Sequence, residues 1–163
     1  MMSYTGRLSC TGLSPLTDGF PSSNAGGFMS RPFVDTGYAA VEVAGASDEF
    51  VGVHVTDEGV EFEPVPELAE ATVEETTDYI EDATGLGEEH TAVVGPAGEN
   101  EVRFAAIITS GSRAFGRGGL GAVPGAKKSS SSPSTATPAA RSRVSTTSSS
   151  ARSTPRPPSP AAR

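Results

Sequence analysis

Arg113 and Arg117 stand in SRAFGRGGLGA, and five glycines crowd positions 111–121 around them. Glycine carries no Cβ, so backbone N–H groups in such a run come close to an anion. A guanidinium beside them forks onto two phosphate oxygens. The run follows GPAGEN (95–100) and the apolar stretch VRFAAIIT (102–109). Taken as a unit, Gly95–Ala122 reads as a site for a large phosphorylated cofactor.

A second cluster lies near the N-terminus, SPLT at 14–17 and SSNAGG at 22–27. Serine and asparagine oxygens with free N–H groups in a loop after a strand suit a phosphate, or a hard cation bound to one. The same composition also makes an ordinary turn. Gly116–Gly121 formally spells G-x-G-x-x-G. The strand before it ends too early for a dinucleotide fold, and Pro124 stands where the following helix has to run. His54 and His90 are not spaced as a pair: His54 falls in the polar phase of a strand and His90 in a loop. Glu99 and Asn100 fit a turn better than acid–base work.

These groups need elements to hold them, and the pattern predicts a mixture of α and β. Arg7–Leu13, Tyr38–Val43, Thr91–Val94 and Val102–Thr109 read as strands. Phe50–Thr56 alternates Val51, Val53 and Val55 against Gly52 and His54, and Asp57-Glu58-Gly59 then turns the chain into Val60 and Phe62. This predicts a hairpin within Gly45–Phe62. Thr72-Val-Glu-Glu75 is a capping box and Gly85 a C-terminal stop, which predicts one principal helix over 73–84. The expected class is α+β, mainly antiparallel sheets with that one helix.

The chain has 163 residues and a net charge of −8, unevenly spread. Residues 1–128 hold all 20 acids against seven lysines and arginines, a net of −13; residues 129–163 hold five arginines and no acid. So acidic a body speaks against nucleic acid as a partner. It matches either a salt-adapted, halophilic-like protein or an ordinary acidic surface. The one cysteine, Cys10, excludes a disulfide framework and an intrachain Cys-ligated cluster. No apolar run approaches the ~20 residues of a membrane span, and MMSYTGRLSC lacks a signal-peptide core. The expected compartment is the cytoplasm. Residues 129–163 are Ser, Pro, Thr, Ala and Arg with one Val, a composition expected to be disordered. The abrupt change at Lys128 fits an out-of-frame reading of GC-rich sequence. The expected division is a body at 1–128 and a tail at 129–163.

Several segments, in order, resemble the N-terminal cofactor-binding domain of the tungsten-containing aldehyde ferredoxin oxidoreductases. They are Arg7, SPLTDG (14–19), SSNAGG (22–27), TGYAAVEVAG (36–45), VGPAGENEVRFAAI (94–107) and SRAFGRGGLGAVPGAK (112–127). Phe115 and Pro124 depart from a usual small residue and a usual Met-like residue. The resemblance implies a tungsten or molybdenum bis-pterin (tungstopterin or molybdopterin) with magnesium bridging its two phosphates. It implies that Arg7 contacts the pterin, that Asn24 lies on the magnesium side and that Gly26 offers backbone. It further implies that Arg113 and the backbone of Ala114 form the second phosphate-side pair, and that Gly116, Arg117, Gly118 and Gly119 shape that loop.

The family's activity is oxidation of a small aldehyde to a carboxylic acid, with electrons leaving through a [4Fe–4S] cluster to ferredoxin. The full-length enzyme is a possible homo-oligomer. The cluster cysteines and the acid–base residues belong to helical domains not found in this sequence, so the resemblance implies a fragment, truncated at both ends and inactive alone. A rival reading is a non-catalytic acidic binding module with a basic tail. A third, a nucleotide-binding α/β protein, requires a helix directly after Gly121.

Overall fold

The computed structural model describes residues 6–127. The expected disordered tail, its frameshift reading and the boundary at 128 lie outside the described residues. Within them the fold is α+β, and every strand pairing is antiparallel.

Strand β1 (Arg7–Thr11) pairs with β2 (Ser22–Gly26), Arg7 opposite Gly26 and Thr11 opposite Ser22. The SSNAGG segment, expected as a loop, is therefore a strand through Gly26. Ordering its backbone against β1 outweighs the turn preference of Ser, Asn and Gly, because strand preference depends on the paired context. Between them, the Ser14 amide donates to Gly19 O at 2.9 Å and the Asp18 amide to Ser14 O at 2.9 Å, closing a tight turn.

A short helix, α1 (Ser30–Asp35), follows β2. The expected strand Tyr38–Val43 does not form. Among the described residues no strand pairs with it, and Ala39, Ala40, Glu42 and Val43 are exposed. Alternation without a partner leaves backbone groups to water and specifies nothing.

The expected hairpin does form. Strand β3 (Val51–Val55) pairs with β4 (Val60–Pro64), and the Thr56 amide donates to Gly59 O at 2.9 Å across the turn. Helix α2 (Val73–Thr84) has the expected limits. The Glu75 amide donates to Thr72 Oγ1 at 3.2 Å, and the Thr72 amide donates back to the Glu75 carboxylate at 2.8 Å. Gly85 takes the left-handed conformation at φ 71° and ends the helix.

The third sheet orders β5 (Ala92–Val93), β6 (Ile107–Thr109) and β7 (Arg113–Phe115). Thr91–Val94 and Val102–Thr109 thus shorten to two and three paired residues. Residues 102–105 turn instead, the Ala105 amide donating to Val102 O at 2.8 Å, and glycines pack closely on this segment. A Cβ at Gly119 would sit 1.8 Å from Arg103 O, and one at Gly121 2.5 Å from the Ala106 carbonyl carbon. The Gly121 amide donates to Ala105 O at 3.0 Å. Backbone occupied this way cannot extend a ladder.

Two further short helices, α3 (Pro96–Glu99) and α4 (Ala122–Ala126), cross at glycines: a Cβ at Gly125 would lie 1.9 Å from Gly98 O. Pro124 sits inside α4, contrary to the expectation that it forbids a helix there. It is the third helical residue, where the N–H has no intrahelical acceptor to lose. The helix that follows Gly121 is only five residues long and no parallel pairing accompanies it. The dinucleotide-binding architecture is therefore absent from the described residues. The core consists of Ala25, Val65, Val93, Ala105, Phe115, Leu120 and Ala122.

Candidate functional site

The site grows from the alternation of β1 and β2. Ser23 and Ala25 point inward and are buried; Ser22, Asn24 and Gly26 are exposed, as are Arg7, Ser9 and Thr11 opposite them. One face of this ribbon therefore carries a polar row that includes Arg7, Asn24 and Gly26. The Ser9 hydroxyl donates to Asn24 Oδ1 and lies 3.3 Å from Ser22 Oγ.

The second loop comes to the same ribbon from about ninety residues away. Strand β7, the edge of its sheet, packs beside β2, the edge of its own, with no ladder between them. Gly27, at φ 119°, accepts this approach: a Cβ there would lie 3.0 Å from Arg113 Cγ. The Arg117 amide donates to Ser23 Oγ at 3.2 Å. Ser14 Oγ donates to Gly118 O at 2.6 Å. At the base, the Met29 amide donates to Ser110 Oγ at 3.2 Å.

The fold thus brings Asn24 and Ala114, and Arg113 and Gly26, onto neighbouring edge strands. Arg7, Asn24, Gly26, Arg113, Ala114, Gly116 and Arg117 are all exposed. Gly118 differs, being buried under Pro21 with its carbonyl taken by Ser14. Above Gly26 and Gly116 a Cβ would meet nothing within 4 Å, so a ligand has open access to the backbone there. Gly118 and Gly119 are consecutive left-handed residues, at φ 80° and 63°.

The charge on this face is not neutralised from within. Despite 20 acids in the sequence, among the described residues no carboxylate lies within 4.0 Å of Arg7, Arg113 or Arg117; ion pairs form elsewhere, as at Arg31–Asp35, His54–Glu63 and His90–Glu89. Three arginines, an amide side chain and glycine backbone are thus exposed on neighbouring edge strands and the loop that follows.

Sequence reasoning overlooked Arg103. Its Nε donates to Pro15 O at 2.9 Å and its Nη2 to Leu16 O at 3.4 Å, which ties the 14–19 turn to the segment under the glycine loop. For the serine oxygens of the two N-terminal motifs it leaves open a phosphate site or an ordinary turn, and Ser14 and Ser23 are turned inward, 0% and 4% exposed. Period-two alternation across 22–26 was the available signal for Ser23. Glu99 and Asn100 do fix a turn: Asn100 Nδ2 donates to Pro96 O at 2.8 Å, and Glu99 Oε2 accepts the Glu70 amide at 2.7 Å.

A cleft of about 350 Å³ lies away from this site, between the β3–β4 hairpin, α2 and β5. His54, Tyr79 and His90 line it, and none of Arg7, Asn24, Arg113 or Arg117 does. His54 Nε2 is 3.1 Å from Glu63 Oε2 across the hairpin. Among the described residues no three His, Cys, Asp or Glu side chains converge as a metal site, and no helix is long and apolar enough to cross a membrane.

Residues 1–129 match the model of the aldehyde ferredoxin oxidoreductase N-terminal domain. The tungsten-containing aldehyde ferredoxin oxidoreductase of Pyrococcus horikoshii is 38% identical over 122 residues, 75% of this chain and 20% of that protein. That of Thermococcus kodakarensis is 39% identical over 123 residues, 76% of this chain and 20% of its own length. The chain therefore spans about a fifth of the curated relatives it matches. Among solved structures, the active site complex BamBC of benzoyl coenzyme A reductase, in complex with 1,5-dienoyl-CoA, superposes with a TM-score of 0.69. It is 30% identical, and the match covers 76% of this chain and 19% of that one. Fold, motif order and these likenesses agree, and the chain belongs to the aldehyde ferredoxin oxidoreductase family, through its N-terminal domain.

Proposed function

We propose that this chain is the cofactor-holding part of an aldehyde:ferredoxin oxidoreductase and that its exposed arginine face receives a bis-pterin of tungsten or molybdenum. The observation that carries the reading is that β7 and the glycine loop, which bear Arg113 and Arg117, pack beside β2, which bears Asn24 and pairs with Arg7 of β1, while the three arginines have no carboxylate partner among the described residues. Arg7 meets one pterin. Asn24 and the Ala114 backbone would hold the magnesium ion of that group. Gly26, Arg113, Gly116 and Arg117 line the phosphates, and Gly118 shapes the loop beneath them. The open space above Gly26 and Gly116 and the undivided positive charge fit such a group.

When bound, the metallopterin supplies the oxidation of an aldehyde to a carboxylic acid. The protein's residues bind and orient it and set its surroundings. A [4Fe–4S] cluster would supply the electron exit toward ferredoxin, and the single cysteine of this sequence cannot ligate one. The chain alone therefore positions the cofactor without turning over aldehyde. The site of action is the cytoplasm.

The test is metal and pterin analysis of the 163-residue chain purified from cells that make the cofactor. Tungsten or molybdenum with pterin should accompany the protein, and Arg113→Ala should reduce both. A purified chain that carries neither, and that does not bind magnesium pyrophosphate in vitro, would overturn the reading.

A further inference from the structure

Ser14 and Ser23 belong to the motifs that suggested phosphate ligation, yet both are buried. The Ser14 hydroxyl is fully spent. It donates to Gly118 O at 2.6 Å and accepts the Leu16 and Thr17 amides, each at 3.1 Å. A hydroxyl has one donor and two acceptor positions, so none remains for a ligand. Ser23 Oγ accepts the Arg117 amide. The two serines thus grip adjacent residues of the glycine loop, one by its N–H and the next by its C=O.

We propose that Ser14 and Ser23 are positioning residues, latches that hold the 116–119 loop on the N-terminal ribbon and so fix where the Arg117 backbone lies against β2. The loop is glycine at 116, 118 and 119, the residue with most conformational freedom to lose. Gly118 lies against Pro21 with Ser14 Oγ 3.6 Å from where its Cβ would be, so the latch also closes over the left-handed turn. The value of the latch for binding rests on the phosphate reading above, while its effect on the loop does not.

The experiment uses the full chain, labelled for amide NMR, with magnesium pyrophosphate as the probe. Ser14→Ala strips three buried bonds at once and risks the fold, so Ser23→Ala carries the test. In Ser23→Ala the Arg117 amide should exchange about tenfold faster or more, while the β3–β4 hairpin amides stay unchanged. Pyrophosphate affinity should fall several-fold, and Ser23→Thr, which keeps the hydroxyl, should restore both. Unchanged Arg117 exchange in Ser23→Ala overturns the latch. So does faster exchange with wild-type pyrophosphate affinity, since the loop would then bind without being held. If wild type itself ignores pyrophosphate, the phosphate reading fails and the exchange result alone decides the latch.

Discussion

Two halves of this molecule are built by different means. Around the arginine face, distant segments lock together through buried hydroxyls and backbone: Ser14 to Gly118, Ser23 to Arg117, Arg103 to Pro15. The β3–β4 hairpin and α2 are built locally. No residue of α2 is buried, and Val53 and Phe62, paired across the hairpin, remain 40% and 45% exposed. The first half holds geometry at the expense of local autonomy, and the second folds from its own sequence yet packs loosely. Binding groups that come from opposite ends of a chain require the first kind of construction.

The sharpest way to break that contrast is a pair of truncations. Leu120, 1% exposed, should lose about 2–5 kcal/mol on replacement by alanine, from transfer and cavity terms together. Val53→Ala should cost under about 1 kcal/mol, because much of its side chain is already in water. Urea unfolding of both variants measures the difference, and equal losses would erase the distinction between the halves.

Arg113→Ala tests whether the locked half is built for a ligand. It should leave stability nearly unchanged while weakening pyrophosphate or pterin retention by about 1.5–3 kcal/mol, the worth of a charge-assisted phosphate contact. His54→Ala, on the other half, should leave binding alone. Titration calorimetry on both separates the two.

How much was legible beforehand follows the same division. Helix α2 was readable because Thr72, Glu75 and Gly85 act within a few residues of one another. The hairpin was readable because its turn and alternation are contiguous. Tyr38–Val43 misled because alternation says nothing of a partner strand, and Val102–Thr109 because the glycines that pack on it lie fifteen residues later. The motifs of the site were legible as residue types. That Ser22–Gly26 is a strand, turning Ser23 inward and Asn24 outward, depended on a partner in β1 and could not be read from the motif itself.

Two smaller effects probe the local half. Thr72→Ala should lower stability by about 1 kcal/mol through loss of the cap, read as faster amide exchange confined to the first turn of α2. Acid should do the same by another route. The Thr72 amide, then its hydroxyl, holds the Glu75 carboxyl below the ordinary glutamate range. A carboxylate with a lowered folded-state pKa favours folding above its unfolded value, and loses that contribution as pH falls through the folded one. Protection in the first turn, taken relative to the intrinsic exchange rate at each pH, should therefore fall as pH drops below the ordinary glutamate range, and Thr72→Ala should flatten that fall. A fall of equal size in the variant would show that another group is responsible.

The glycines divide in a way that bears on how the gene tolerates change. At Gly98, Gly119, Gly121 and Gly125 a Cβ would stand within 2.6 Å of backbone carbonyl atoms, which cannot move aside as a flexible side chain does. At Gly26 and Gly116 it would meet nothing. In a library of all single substitutions the first four should vanish when variants are sorted by abundance in the cell. The other two should survive that sort and drop out only when variants are sorted by cofactor retention. Two identical residues in one sequence thus answer to two different selections, one for a chain that persists and one for a chain that holds something.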